Sequence, residues 1–249
     1  MEFLIGFIIA AAIGLTGVGG GTLMTPVLIL FLHVPVAQAV GTALLFSTAV
    51  KVLAAPVYLS RKQVHWRTLA FLIGGGLPGV LIGSLLLSHY NVKSGESLLY
   101  SVLGLTIVTM SSLNLYRMIR NTQRGEPRDR SGWLPLIALP IGAEVGFSAA
   151  GAGALGSIAL LGLTSLTAGQ VVGTDMFFGL AISTVGGGIQ LHAGNFAPDL
   201  LWKLVVAGIP GVIVGANMVT RLPSRPLRYA LSVWIIGLGA QLCYRGLAS

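Results

Sequence analysis

The chain has 249 residues, of which 54% are hydrophobic and only 9% are charged, and its mean hydropathy is +0.87. This balance excludes an ordinary soluble domain and predicts an all-α, polytopic membrane protein with the lipid bilayer as its partner. The net charge of +8 would suit a nucleic-acid partner, but the basic residues cluster in short loops. We therefore expect membrane topology to explain the charge, and no nucleic-acid partner.

The first apolar run, residues 3–32, is interrupted by five glycines between Gly14 and Thr22. Each glycine in a helix interior costs roughly 1 kcal/mol relative to alanine. The run therefore predicts two half-helices, about 3–13 and 22–32, joined by unwound backbone. At about 1.5 Å per residue, each half reaches about half of the ~30 Å hydrocarbon core, so the break is expected near the membrane midplane.

The rest of the chain predicts a second copy of this arrangement after a polar, arginine-rich linker. Apolar spans long enough to cross a membrane are predicted at 38–59, 68–87, 97–116, 169–191, 200–219 and 227–244, with a second broken segment at 133–163. The expected organisation is a first transmembrane repeat at 1–118, a cytoplasmic basic linker at 119–132 and a second transmembrane repeat at 133–249.

An internal duplication relates the two halves at a constant offset of 132 residues. Gly146 repeats Gly14 at this offset, and Val172-Gly173-Thr174 repeats Val40-Gly41-Thr42. Two repeats with glycine-interrupted apolar segments at matching places are typical of secondary transporters whose site lies at the repeat interface.

Lysine and arginine in the loops indicate how each half is oriented. The loops at 61–67, 117–130 and 221–228 are basic and should be cytoplasmic, whereas 89–96 and 192–199 should lie outside. These assignments conflict with eight simple crossings, because a fully crossing segment at 133–163 would put the last basic loop outside.

The conflict disappears if both broken segments are re-entrant hairpins that enter from opposite faces. The chain would then have six full spans, both termini outside and an inverted repeat. A broken helix that crosses fully is the alternative.

Two re-entrant tips would meet at the midplane, where free backbone N–H groups and helix dipoles favour an anion. The predicted substrate-binding residues are Thr16, Gly19, Gly20, Gly21, Thr22, Thr42, Lys51, Ser148, Gly151, Gly153 and Thr174. The alternative is that the glycines only let helices pack closely, which we prefer for 74–76 and 186–188.

Three ionisable residues in apolar segments each need a reason, because charge inside a membrane is expensive. Lys51 is predicted to attract the anion, and Glu144 and Asp175 are the candidates for proton coupling. At the offset of 132 their counterparts are Ser183, Ala12 and Ala43, so charge breaks the symmetry of the repeats. A structural ion pair between Lys51 and Asp175, with a protonated Glu144, is the alternative.

Several motifs together resemble one transporter family. The glycine-rich run from Gly17 that ends at Pro26, the segment from Gln38 to Thr42, the basic loop after the second span and Leu77-Pro78-Gly79 resemble the TauE/SafE family, also called sulfite exporters. The resemblance implies transport of small anions, often sulfite or organosulfonates, across a bacterial inner membrane, and it alone favours export. The second repeat departs from the pattern, because Ile158 stands where Pro26 would repeat.

The sequence thus predicts a secondary transporter of small anions, such as sulfite, thiosulfate or an organosulfonate, and not an enzyme. No ATP-binding motif is present, so ion or proton coupling or facilitated diffusion must drive it. We expect neither a cofactor nor a metal. The alternatives are an anion channel and a carrier of a non-sulfur organic anion, and the sequence is compatible with a homo-oligomer.

Overall fold

The computed structural model describes residues 2–16, 20–89, 92–119, 130–150, 153, 155–218 and 224–248. Over these residues the chain forms helices and no strand, as predicted. They are α1 Glu2–Thr16, α2 Gly20–Phe31, α3 Val36–Ser60, α4 Trp66–His89, α5 Val92–Ile119, α6 Leu134–Ser148, α7 Leu155–Leu163, α8 Ala168–His192, α9 Pro198–Met218 and α10 Ser224–Ala248. A short 3-10 turn, Ser131–Trp133, precedes α6.

Both predicted breaks separate two helices, although the bounds differ from the prediction. α1 continues to Thr16, past the predicted end at residue 13, and α2 already begins at Gly20. Packing of an apolar helix outweighs the cost of about 1 kcal/mol for each glycine that it includes. In the second break, α6 ends because Ala149 takes a left-handed conformation with φ of 60°, and Gly153 has φ of 107°.

Five of the described helices, α3, α4, α8, α9 and α10, are long and apolar enough to cross a membrane. α1 and α2 are shorter apolar helices, as expected for half-helices. The remaining predicted span, 97–116, lies within α5, in which the described side chains include an apolar stretch at Tyr100–Leu113. The described residues thus form a polytopic membrane protein, and the sixth full span stays a prediction.

The first helix of each broken segment packs along a full helix from the other half of the chain, α6 along α4 and α1 along α9. A Cβ placed at Gly79 would collide with the carbonyl oxygen of Leu139, and one at Gly83 with that of Ala143. Because the two residue numbers rise together, α4 and α6 run parallel. Small residues at such interfaces let two backbones approach closely.

The same contacts recur 132 residues away with the two halves exchanged. A Cβ at Gly211 would collide with the carbonyl oxygen of Phe7, and one at Gly215 with that of Ala11. α1 and α9 therefore also run parallel. The glycines that were predicted from sequence to allow close packing include Gly75, whose added Cβ would collide with the carbonyl oxygen of Pro135.

α3 packs against α8 in the interior of the bundle, and α5 packs along α10. Phe46 of α3 and Phe178 of α8, again 132 residues apart, are fully buried. The ring of Phe46 lies 2.9 Å from a Cβ built at Gly208, and the ring of Phe178 lies against Gly76. Each central helix thus fills the space that a glycine leaves on α9 or α4.

Matching hydrogen bonds fix the loops at the two ends of the bundle. The Thr42 hydroxyl of α3 accepts from the backbone N–H of Ala197 at 3.0 Å, and the Thr174 hydroxyl of α8 accepts from that of His65 at 3.0 Å. α3 therefore starts beside the loop before α9, and α8 starts beside the loop before α4.

The two ends of each broken segment lie on one side of the molecule. The backbone N–H of Arg130, just before α6, donates to the carbonyl oxygen of Leu163 at the end of α7 at 2.9 Å. In the first segment, α1 begins on the side where α9 begins, and α2 leads into the start of α3 on that same side.

Candidate functional site

The two helix breaks meet inside the bundle. A Cβ at Gly21, in the first turn of α2, would collide with the carbonyl oxygen of Ala149. The hydroxyl of Thr25, one turn further along α2, donates to the carbonyl oxygen of Ser148 at 3.2 Å. We call residues 20–22 the first tip and residues 148–150 the second tip. The first tip therefore rests on the end of α6, and the contact joins the two halves of the chain.

The first tip is a buried helix N-terminus. Gly20, Gly21 and Thr22 are all buried. They form the first turn of α2, where the backbone N–H groups of any helix point out of its end. Ser47 of α3 lies beside them, with its hydroxyl 3.3 Å from a Cβ built at Gly20. Backbone N–H groups and a hydroxyl are the donors that commonly bind an anion at a helix start.

The second tip is held in shape by its own hydroxyl. Ser148 donates to the carbonyl oxygen of Glu144 at 3.1 Å and accepts from the backbone N–H of Ala150 at 3.1 Å. Ser84 of α4 supports the last turn of α6 by donating to the carbonyl oxygen of Gly146 at 3.3 Å. Ser148 thus sets the backbone of the tip, and its contact with a substrate stays a prediction.

Asp175 of α8 lies at the first turn of α7. It is 3% exposed, and its Oδ2 accepts a hydrogen bond from the Ser157 hydroxyl at 2.8 Å. Its Oδ1 lies against Gly156, where a Cβ would collide with it. The structure thus places this carboxylate at the positive end of a helix dipole.

Lys51 of α3 is 5% exposed and interacts electrostatically with Asp175. One turn away, the Thr48 hydroxyl donates to the hydroxyl of Ser183 on α8 at 3.2 Å. Lys51 and Asp175 therefore lie on two helices that pack against each other, α3 and α8, and a direct ion pair between them stays a prediction.

Glu144 has a different environment. Both of its carboxyl oxygens are buried, and neither has a hydrogen-bond partner among the described residues. It lies one turn before Ser148 on α6, and its backbone carbonyl oxygen accepts the Ser148 hydroxyl. A charge in such a place is costly, which makes a bound proton the simplest way to keep the group there.

The other predicted site residues lie in different places. The hydroxyls of Thr42 and Thr174 bond to loops at the ends of α3 and α8, which gives both a structural role. Gly19, Gly151 and the side chain of Thr16 lie outside the described part of the chain. The role of each in substrate binding stays a prediction.

The structure adds polar residues that sequence reasoning did not select. Ser47 reaches the first tip, and Ser84 supports the second. Gln190 is fully buried, donates to the Ser84 carbonyl oxygen at 3.2 Å and accepts from the Asn195 side chain at 2.9 Å. In the sequence, these residues are marked only as polar residues within apolar spans. This signal is weak, because many such residues only hydrogen-bond to a neighbouring backbone group.

The fold and the site define a class, that of multi-pass helical membrane proteins in which two interrupted helices meet inside the bundle. Within that class, the chain belongs to the sulfite exporter TauE/SafE family, whose model matches residues 2–242. The resemblance in the sequence motifs is thereby confirmed, and the family identifies the protein as a membrane transporter.

Named relatives agree with this class. The chain is 32% identical over 248 residues to the probable membrane transporter protein YjnA of Bacillus subtilis (strain 168), covering 96% of this chain and 97% of that protein. YunE of the same strain, also a probable membrane transporter protein, is 27% identical with 97% and 96% covered. A probable membrane transporter protein of Xylella fastidiosa (strain Temecula1) is 30% identical over 107 residues, with 43% and 40% covered. No solved structure matches the chain.

Proposed function

We propose that the protein is a secondary carrier of small anions, and that the anion binds where the two tips meet. The observation that carries this proposal is the contact between Gly21 and Ala149, which sets the start of α2 against the break in the other half of the chain. Broken helices that meet across a repeat interface form the substrate sites of several transporter folds.

The chemistry of the tips favours an anion over a cation. The start of α2 contributes backbone N–H groups and the positive end of its dipole, and Ser47 adds a hydroxyl. Irregular backbone at membrane depth is tolerated where protein buries it or where it lines a wet cavity, which suits a substrate path. Lys51, one turn after Ser47 on α3, adds a buried basic side chain.

The proposed substrates are sulfur oxyanions or organosulfonates, such as sulfite, thiosulfate or sulfoacetate. The support is the family, which is described as sulfite exporters, while the relatives are named only as probable membrane transporters. Export and a location in the bacterial inner (plasma) membrane belong to the same proposal. An anion channel and a carrier of a non-sulfur organic anion are the competing functions.

The topology that we propose is an inverted repeat, with 1–118 and 133–249 as its halves and 119–132 as a cytoplasmic linker. The hydrogen bond from Arg130 to Leu163 supports a re-entrant hairpin over a full crossing, because both ends of the segment lie together. The exchanged contacts at an offset of 132 support a twofold relation between the halves.

Loop charge sets the proposed orientation of this arrangement. The loop at 61–67 carries three basic residues, whereas its counterpart at 193–199 carries only Asp199. The positive-inside rule then places the first loop, and with it the entry of α6, in the cytoplasm. α1 and α2 enter from the opposite face.

Proton coupling is proposed to involve Glu144. Its carboxyl oxygens are buried without a hydrogen-bond partner in the described structure, one turn from the second tip. A proton on Glu144 and an anion at the tips would each lower the cost of holding the other there. Asp175 is the weaker candidate, since its Oδ2 already accepts a hydrogen bond from Ser157.

Sulfite flux in proteoliposomes at imposed pH gradients tests the proposal. Thiosulfate, sulfoacetate, sulfate and acetate serve as competitors, and counterflow is measured alongside. Saturable flux with counterflow and a response to the gradient supports the coupled carrier, whereas flux that rises linearly with concentration supports a channel. A folded protein that transports none of the sulfur anions refutes the substrate class.

A further inference from the structure

The second half of the site already contains an anion, which is the Asp175 carboxylate. Its Oδ2 accepts the Ser157 hydroxyl at 2.8 Å, and its Oδ1 lies against Gly156. Both of these contacts are in the first turn of α7, the helix that follows the second break. A carboxylate at a helix N-terminus is stabilised by the dipole in the same way as a bound anion.

The first half of the site lacks this carboxylate. At the offset of 132, Ala43 stands in place of Asp175, and it is fully buried. Thr25 stands in place of Ser157, but its hydroxyl donates to the carbonyl oxygen of Ser148 instead. From the offset of 132 we expect the start of α2 to have the Ala43 methyl group where the start of α7 has a carboxylate.

Lys51 offsets part of the energetic cost of burying the Asp175 carboxylate inside the bundle. It is buried beside α8 and attracts Asp175 electrostatically, while its own counterpart in the other half is the neutral Ser183. Neither charge thus has a charged counterpart at the offset of 132. Paired charges in a membrane interior are far less costly than isolated ones.

We propose that Asp175 determines the stoichiometry and the position of substrate binding. Its carboxylate takes the place of an anion at the start of α7, so only the start of α2 binds a substrate anion. The inference rests on the proposed function, because it assigns the anion site to one of the two helix starts. It makes the site asymmetric although the backbone contacts around it are symmetric.

A purely structural pair between Lys51 and Asp175 makes a different prediction. In that case removal of the carboxylate would lower stability and leave the number of bound anions unchanged. A carboxylate introduced at Ala43 would then have the same effect on sulfite binding as a neutral side chain of similar size. Binding stoichiometry distinguishes the two roles, because removal of the carboxylate lowers stability in either case.

The experiment is equilibrium binding of radiolabelled sulfite to the purified full-length protein. We expect about one sulfite per chain in the wild type and about two in Asp175→Ala, since the start of α7 is then open to an anion. Ala43→Asp should lower sulfite affinity about tenfold or more by placing a like charge at the start of α2. Ala43→Asn is the neutral control of matched size, and Gly188→Ala on α8 is the control for substitution in open space.

The outcomes separate this inference from the function on which it rests. A monodisperse wild type that binds no sulfite refutes the proposed substrate and the inference together. If the wild type binds sulfite and Asp175→Ala still binds one with unchanged affinity, the inference alone is overturned. If Asp175→Ala does not fold, the Ala43 pair decides, and equal affinity in Ala43→Asp and Ala43→Asn overturns the inference.

Discussion

Replacement of Gly21 by alanine tests the contact between the two tips directly. The added methyl group would collide with the carbonyl oxygen of Ala149 and would lie 2.7 Å from its carbonyl carbon and 2.9 Å from its Cβ. Carbon atoms in contact normally lie about 3.5–4.0 Å apart, so the two backbones must separate by roughly 1 Å. None of these atoms can swing away, because all belong to backbone or to a Cβ.

Such overpacking costs about 1–3 kcal/mol. If the whole cost falls on the assembled site, sulfite affinity falls by about 5- to 150-fold, since about 1.4 kcal/mol corresponds to a factor of ten. The assay is the KM for sulfite in proteoliposomes, with the thermal midpoint in detergent measured on the same preparation. We expect KM to rise by at least about fivefold while membrane insertion is retained.

Gly74→Ala on α4 is the matched control, because a Cβ built there meets no atom within 4 Å. It should leave KM unchanged and raise the thermal midpoint slightly, since alanine favours helix by up to about 1 kcal/mol over glycine. A Gly21→Ala protein with wild-type KM and thermal midpoint would refute the reasoning, because the tips could not then be in contact.

Three further substitutions test other parts of the site. Glu144→Gln should retain sulfite flux but lose its response to an imposed pH gradient, and a response that persists would exclude Glu144 as the proton carrier. Thr25→Val leaves the carbonyl oxygen of Ser148 without its donor, so we expect a loss of about 1–3 kcal/mol in stability and a raised KM, and wild-type values of both would contradict the proposal. Thr42→Val removes the acceptor of the Ala197 N–H and should lower the thermal midpoint with no change in KM, whereas a raised KM would place Thr42 in the substrate site.

The helix breaks could be predicted because they depend on local chemistry. Glycine disfavours helix wherever it stands, so the cluster from Gly14 to Gly21 marked a break without any tertiary information. The end of α1 was wrong by one turn, since the helix includes Gly14 and reaches Thr16. The packing of α1 along α9 explains the extension. The helix propensity of glycine, a local cost of about 1 kcal/mol, contains no information about such packing.

The partners of individual residues could not be predicted in the same way. Asp175 was recognised as an unusual charge, but its place at the start of α7 depends on how α8 packs against that helix. Ser47 looks no different in sequence from Ser183, yet one lies at the first tip and the other bonds to Thr48. Spacing along a helix gives the face of a residue but not the helix that covers it.

The exchanged packing of the half-helices has a consequence for how the chain can fold and how it arose. α1 finds its parallel neighbour in α9, and α6 finds its own in α4, so each half of the protein completes the other. A fragment that ends near residue 118 would leave the glycine-lined face of α4 uncovered, and we expect it to be stable only when the complementary fragment is present. On the proposed topology, an ancestor with a single repeat could bury that face only against a second copy inserted in the membrane with the opposite orientation. On that same proposal, the two halves preserve, in one chain, the interface of an antiparallel dimer.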